Sequence, residues 1–206
     1  MFDSQFFLNK KVLITGTTGF KGSWLSIWLN LLGAELYGIS LEPPTNPSLF
    51  NEAKLNKIVK NKIFDVSDSK KVLCLINEIK PDYIFHLAAQ PLVRNSYLHP
   101  IDTWKTNVLG TVNILDSLRF LNKKCIGIII TSDKCYENQE WEWGYRESDR
   151  LGGSDPYSAS KASAELAFSS YFRSYFNDFS NSEIRIASAR AGNVIGGGDW
   201  AQSRIV

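Results

Sequence analysis

Tyr157 and Lys161 stand four residues apart, and the stretch from Ser158 to Phe176 contains neither glycine nor proline. On a helix that spacing projects both side chains from one face and brings an ammonium close to a phenol. A phenol titrates near pH ~10 in water, and bringing it toward 7 takes about 4 kcal/mol of differential stabilisation, which neighbouring cations supply. A tyrosine tuned in this way exchanges a proton with the hydroxyl of a bound alcohol. A second segment able to do chemistry, Thr131-Ser132-Asp133-Lys134-Cys135-Tyr136, lies upstream. Ser132, Asp133 and Lys134 offer a hydroxyl, an acid and an amine in succession. Between the two segments runs an acidic loop, Glu137 to Glu147, whose Trp141 and Trp143 either cover the site or pack the loop onto the body. Tyrosine and lysine at this spacing also occur on ordinary helix surfaces, so the chemistry depends on what else the chain sets beside them.

That positioning starts with Thr15-Gly16-Thr17-Thr18-Gly19-Phe20-Lys21-Gly22, which follows an apolar strand and opens a helix. Glycine suits such a turn: it takes unusual dihedrals and leaves no Cβ between the backbone and a pyrophosphate. The helix N-terminus adds unpaired N–H groups and a positive dipole end. Gly16, Thr18, Gly19, Phe20, Lys21 and Gly22 are therefore expected to hold a dinucleotide. Glu42, about 20 residues beyond the turn, is placed to read the adenosine ribose, and no arginine lies there to favour a 2'-phosphate, which points to NAD. Asp65 and Val66, after the third strand, are expected to face the adenine, although Asp65 serves equally well in a helix cap with Ser67 and Asp68. Leu87, Ala88 and Ala89, after the fourth strand, include small residues that let backbone approach the cofactor.

The elements that must carry these residues alternate along the chain. Strand-like runs occupy Lys11–Thr15, Glu35–Ser40, Lys62–Asp65, Tyr83–Leu87, Ile126–Thr131 and Ile184–Ala189. Helical patterns fall at about Gly22–Leu32, Ser69–Ile79, Ile101–Leu121 and Pro156–Phe176. This rhythm predicts an α/β fold, a doubly wound parallel sheet of Rossmann type over residues 1–206. The proline-rich run Glu42-Pro43-Pro44-Thr45-Asn46-Pro47 reads as a surface loop. The chain has 206 residues, 44% apolar and 21% charged, with a formal net charge of +2. That balance gives no electrostatic reason to expect nucleic acid or an anionic membrane as partner. No apolar run approaches the ~20 residues of a membrane span, and the start of the chain lacks a leader pattern. Cys74, Cys125 and Cys135 show no metal-ligand spacing and cannot all pair, which suits a reducing cytoplasm; no metal site is expected. His86, in the fourth strand, and His99, before a proline at a helix start, read as structural.

Several of these segments together resemble the extended short-chain dehydrogenase/reductase superfamily, and within it the CDP-glucose 4,6-dehydratase family. The resemblance rests on Gly19-Phe20-Lys21-Gly22-Ser23-Trp24-Leu25, Glu42-Pro43-Pro44, Ala88-Ala89-Gln90-Pro91-Leu92-Val93-Arg94, Thr131 to Asn138, Trp141 to Glu147, and Arg190-Ala191-Gly192-Asn193-Val194-Ile195-Gly196-Gly197-Gly198-Asp199-Trp200. It implies an NAD-holding Rossmann-type domain followed by a smaller C-terminal domain for the nucleotide of a CDP-sugar. Only the start of that second domain, in the last ten residues or so, would lie in this chain. The implied reaction oxidises C4 of CDP-glucose, eliminates water across C5 and C6, and returns the hydride to C6. The resulting 4-keto-6-deoxy sugar is of the kind used in deoxysugar and O-antigen synthesis.

In that scheme Tyr157 takes the O4 proton, Lys161 holds the ribose hydroxyls, Ser132 bonds the C4 oxygen, and Asp133 protonates the departing C6 hydroxyl. Related dehydratases carry Asp-Glu where this chain has Asp133-Lys134, so Lys134 would remove the C5 proton as a neutral amine. Gln90, Arg94 and Asn193 are implied substrate contacts, Arg94 with a surface salt bridge as its alternative. Asn107 resembles the asparagine that supports the lysine through a buried water, or is a plain helix-interior amide. Superfamily members often dimerise through the helices that contain Ile101–Leu121 and Tyr157, so a homodimer is a possible assembly. Two other readings stay open: a nucleotide-sugar 4-epimerase or reductase, which needs Tyr157, Lys161 and Ser132 but no Asp-Lys pair, and a non-catalytic NAD(P)-binding module.

Overall fold

The computed structural model describes residues 5–178 and 183–202. The first four residues of the expected leaderless start, and residues 203–206 in the expected beginning of a second domain, lie outside the described residues. Six strands, β1 (Lys11–Thr15), β2 (Glu35–Ser40), β3 (Val59–Ile63), β4 (Tyr83–His86), β5 (Cys125–Ser132) and β6 (Ile184–Ala191), form one parallel sheet in the order β3-β2-β1-β4-β5-β6. This is the doubly wound arrangement expected from the alternating runs. The chain reverses its direction of winding between β1 and β4, which opens a crevice beyond their C-terminal ends.

Both faces of the sheet are covered, so the central strands are apolar on both sides. Along β1, Leu13 faces one layer while Val12 and Ile14 face the other, as the two-residue period of a strand requires. On the first face Leu13, Ile39, Ile84 and Ile129 pack against α3 (Ser69–Ile79) and α6 (Gly110–Arg119) through Val72, Ile76, Ile114 and Leu118. On the second, Val12, Ile14 and Leu36 meet Leu29 of α1 (Phe20–Leu31) and the short α2 (Leu49–Glu52) through Phe50. Each fully buried aliphatic side chain of this kind contributes roughly 1.5–3 kcal/mol.

Local sequence sets the helix starts. The Asp68 side chain accepts from Lys71 N at the head of α3. Asp155 accepts from Ser158 N at the head of α7 (Pro156–Tyr171), with Pro156 in the first turn, where no N–H is needed.

Three expectations are corrected. The third strand starts three residues and ends two residues earlier than Lys62–Asp65: it is an edge strand whose inward residue is Val59, 4% exposed, while Ile63 is half exposed and Phe64–Asp65 have already left the sheet. The single helix expected over Ile101–Leu121 is α5 (Pro100–Trp104), a wider π turn (Lys105–Leu109) and then α6, because one extra residue per turn leaves the apolar pattern nearly unchanged. A further helix, α4 (Val93–Leu98), follows directly after Pro91-Leu92 and is not among the expected helical patterns.

Candidate active site

The crevice at the reversal of winding is a cleft of about 1270 Å³. Its floor is the turn between β1 and α1. Gly16 has φ +77°, and a Cβ there would lie 2.9 Å from Ala88 N; a Cβ on Gly22 would lie 2.0 Å from Gly16 O. Only glycine lets these three pieces of backbone meet. No side chain caps α1 and no acid stands in its first turn, which holds Lys21, so a positive end of the helix faces the cleft. Floor, charge and shape fit the pyrophosphate of a dinucleotide. Gly16, Thr18, Gly19, Phe20, Lys21, Gly22, Glu42, Asp65, Val66, Leu87, Ala88 and Ala89, the expected cofactor set, all line the cleft. Asp65 also bonds Ser67 N at 2.8 Å, while Asp68 caps the next helix, so the cap reading and the lining reading hold together. Ser40, at the end of β2, accepts from Asn61 Nδ2 at 2.7 Å, and Asn61 in turn accepts from the Thr17 hydroxyl at 2.7 Å.

On the opposite wall α7 presents Tyr157 and Lys161, 8% and 7% exposed, and both line the cleft. Burial, and then the charge of Lys21, bring Lys161 down from the ordinary lysine range to about 8. Ser132, Asp133 and Lys134 reach the same cleft from the end of β5. The Ser132 hydroxyl caps their tight turn, accepting from Lys134 N at 3.2 Å and donating to Asp133 Oδ1 at 3.1 Å. Asp133 and Lys134 are exposed to the cleft, whereas Cys135 beside them is buried and its thiol is pushed up to about 11, chiefly by burial. Arg94 and Asn193 also line the cleft, and Arg94 makes no ion pair among the described residues.

Gln90 is the exception among the expected contacts, because the structure does not bring it into the cleft lining. Its amide donates to Leu92 O and the Thr103 hydroxyl and accepts from Leu92 N at 2.6 Å, so it shapes the turn before α4.

A buried polar chain joins the two walls. Thr15 Oγ1 accepts from Leu87 N and Ala88 N at 3.1 and 3.0 Å, so its proton goes to His86 Nδ1 at 2.8 Å. Thr111 donates to Asn107 O at 2.8 Å and therefore accepts from His86 Nε2 at 3.1 Å. His86 is thus the Nε2–H tautomer; burial, with the Lys161 charge second, pushes it down to about 3. Asn107 Nδ2 donates to Ser160 Oγ at 2.8 Å, and Ser160 donates to the Tyr157 carbonyl at 2.7 Å.

A family model described as GDP-mannose 4,6 dehydratase matches residues 13–185, most of the chain. The chain belongs to this family. With it goes the extended short-chain dehydrogenase/reductase superfamily expected from the motifs. Among curated relatives of this sugar-nucleotide 4,6-dehydratase family, the chain is 50% identical over its whole length to the CDP-glucose 4,6-dehydratase of Salmonella typhimurium, of which it covers 58%. It is 30% identical to the CDP-paratose 2-epimerase of Salmonella typhi, over 79% of this chain and 53% of that protein. An epimerase from Methanothermobacter thermautotrophicus superposes with a TM-score of 0.75 at 24% identity, over 95% of this chain and 55% of that one, and so shares the fold. The chain therefore spans a little over half the length of these proteins.

The residue types and spacing pointed to the glycine turn and to the Ser132-Asp133-Lys134 and Tyr157–Lys161 groups, but they did not reveal how the segment after β6 lines the cleft. Trp24 donates from Nε1 to Gly197 O at 2.9 Å, and a Cβ on Gly196 would lie 3.2 Å from the Phe20 ring, so the first helix grips the Gly196–Gly198 turn. Val194, Ile195 and Trp200 thereby join the lining. Apolar residues on both sides of a glycine run were the available signal in the sequence.

Proposed function

We propose that this chain carries the NAD-binding and catalytic residues of a CDP-glucose 4,6-dehydratase. The observation that carries the reading is the meeting, in one cleft, of Tyr157–Lys161 with Asp133–Lys134. The first pair suffices for alcohol oxidation, and the second adds the acid and base that elimination needs. The 50% identity to the Salmonella CDP-glucose enzyme favours this substrate. The NAD choice is supported by Glu42 in the cleft lining. A solved UDP-glucose 4-epimerase of Brucella ovis in complex with NAD, at TM-score 0.73 and 22% identity, has the same fold.

The glycine turn and α1 would hold the pyrophosphate, Glu42 the adenosine ribose, and Lys161 the nicotinamide ribose. Bound NAD supplies the hydride acceptor for C4 and the hydride donor for C6. Tyr157 accepts the proton of the sugar O4, helped by the adjacent Lys161 charge. Ser132 turns its hydroxyl from Asp133 to the C4 oxygen and holds it through the change from alcohol to ketone. Once C4 is a carbonyl, the C5 proton is acidified and Lys134 removes it. Asp133 gives its proton to the C6 hydroxyl, which leaves as water. Lys134 returns its proton to C5 as the hydride is delivered to C6, and the proton taken up by Tyr157 replaces the one Asp133 gave, so the net change is the loss of one water.

Incubating full-length protein with CDP-glucose and NAD, and reading products by NMR or mass spectrometry, tests this. A CDP-4-keto-6-deoxyglucose product is expected. Epimerised CDP-sugar would favour the 4-epimerase reading, and intact NAD binding without turnover would favour a binding module.

A further inference from the structure

Glu165 follows Lys161 by four residues, as Lys161 follows Tyr157, so the three lie along one face of α7. The first two reach the cleft. Glu165 instead turns into the packing of β5 and β6, where it is 3% exposed and both its oxygens are engaged. Oε1 accepts from the Thr131 hydroxyl at 2.5 Å; Oε2 accepts from the Ser188 hydroxyl at 3.2 Å and from the Arg190 guanidinium at 2.9 Å. Through its other terminal nitrogen Arg190 donates to the Tyr136 hydroxyl and to the Glu147 carbonyl, each at 2.9 Å. Thr131 and Tyr136 bracket Ser132, Asp133, Lys134 and Cys135. One ion pair rooted in the helix of Tyr157 and Lys161 therefore grips the Asp133–Lys134 segment at both ends.

We propose that the Glu165–Arg190 pair is a clamp that sets Asp133 and Lys134 against Tyr157 and Lys161, which makes Arg190 a positioning residue for elimination. A buried pair of this kind does little for net stability, since desolvating both charges offsets most of their attraction. Its geometry is what the site uses. A carboxylate, a phenol and a backbone carbonyl lie in different directions around Arg190, and only a guanidinium fork serves all three together. The grip extends to the acidic loop: Tyr136 stacks on Tyr145, with ring centroids 5.0 Å apart, and Tyr145 contacts Trp141 at 5.3 Å. Glu137 N and Gly152 N close the base of the loop on Arg150 O and Cys135 O, both at 2.9 Å.

The role in elimination rests on the dehydratase reading, whereas the clamp itself does not. Two variants of the full-length protein test both: Arg190→Lys, which keeps the charge but loses the fork, and Tyr136→Phe, which removes a single hydroxyl. Hydrogen–deuterium exchange without substrate is expected to quicken about tenfold across residues 131–151 in both variants, with the glycine turn unchanged. With CDP-glucose, product formation is expected to fall roughly 10–100-fold in kcat at unchanged KM. Reduced nicotinamide should then accumulate, because oxidation outruns elimination. Unaltered exchange in both variants overturns the clamp. Quickened exchange with every step slowed alike, and no reduced nicotinamide, overturns the positioning role. A parent protein that forms no product at all overturns the dehydratase reading, and the exchange result alone then decides the clamp.

Discussion

Replacing Lys161 by methionine removes a buried charge while keeping most of the side-chain volume, and it separates the cost of that charge from its use. Burial first, and the charge of Lys21 second, lower Lys161 from 10.5 to about 8. That difference, at 1.36 kcal/mol for each pH unit, puts the penalty for keeping the ammonium in the folded, ligand-free protein at about 3 kcal/mol. The folded value is depressed, so below pH 8 both folded and unfolded chains carry the proton and the whole penalty applies. Between 8 and 10.5 the folded chain sheds its proton first and the penalty fades; above 10.5 it is gone. Lys161→Met is therefore expected to be inactive yet more stable than the parent by about 3 kcal/mol at pH 7, with the gap falling below about 1 kcal/mol at pH 10. Urea unfolding of both proteins at the two pH values measures it. The thiols of Cys125 and Cys135, pushed up mainly by burial to about 12 and about 11, add an opposite slope above pH 9. They are common to both proteins and cancel in the difference. A variant less stable than the parent at pH 7, or a gap that does not shrink, would refute the reasoning that Lys161 is held charged and desolvated.

His86, pushed down to about 3 by burial and Lys161, must stay neutral in the folded protein, so its contribution is complete above pH 6.5 and is lost as pH falls toward 3. About 3 kcal/mol should be gone by pH 4, and an NMR titration of the imidazole should show no protonation down to the unfolding transition. Gly22→Ala sets a Cβ 2.0 Å from Gly16 O, so it is expected to lower the melting temperature and abolish NAD binding in calorimetry. Lys134→Met should leave slow oxidation at C4 measurable and depress dehydration by roughly 100-fold or more; dehydration at the parent rate would remove Lys134 from the base role.

The sequence was most legible where function and fold depend on neighbours along the chain. The boundaries of the helix Ser69–Ile79 match the expectation because Asp68 announces its start and the apolar residues keep a 3.6 period. The glycine turn and the Tyr157–Lys161 spacing are local in the same sense. Nothing in Ala89-Gln90-Pro91 tells whether an amide turns outward to the cleft or back on its own turn, and here it turns back. The π turn at Lys105–Leu109 escaped for a related reason, since the same residues read as an uninterrupted helix. Partners distant in sequence were beyond reach: Thr15 meets His86 71 residues away, and Arg190 meets Tyr136 54 residues away.

Those distant pairs explain why two segments with little common structure of their own behave as one site. Polar groups buried at the sheet's C-terminal edge must each find a partner, or the fold loses a desolvation cost of about 1–3 kcal/mol per group. Thr15, Thr111 and Ser160 meet that demand by committing each hydroxyl proton in one direction, from the floor of the cleft through His86 and Asn107 to the backbone of Tyr157. Glu165 and Arg190 meet it on the other side of α7, tying the same helix to Thr131 and Tyr136. The helix bearing Tyr157 and Lys161 is thus held by two independent networks, one registered on the glycine turn and one on the Asp133–Lys134 segment. A shift of α7 toward either wall breaks bonds to the other, so satisfying the buried polar groups also fixes the distance between Tyr157–Lys161 and Asp133–Lys134.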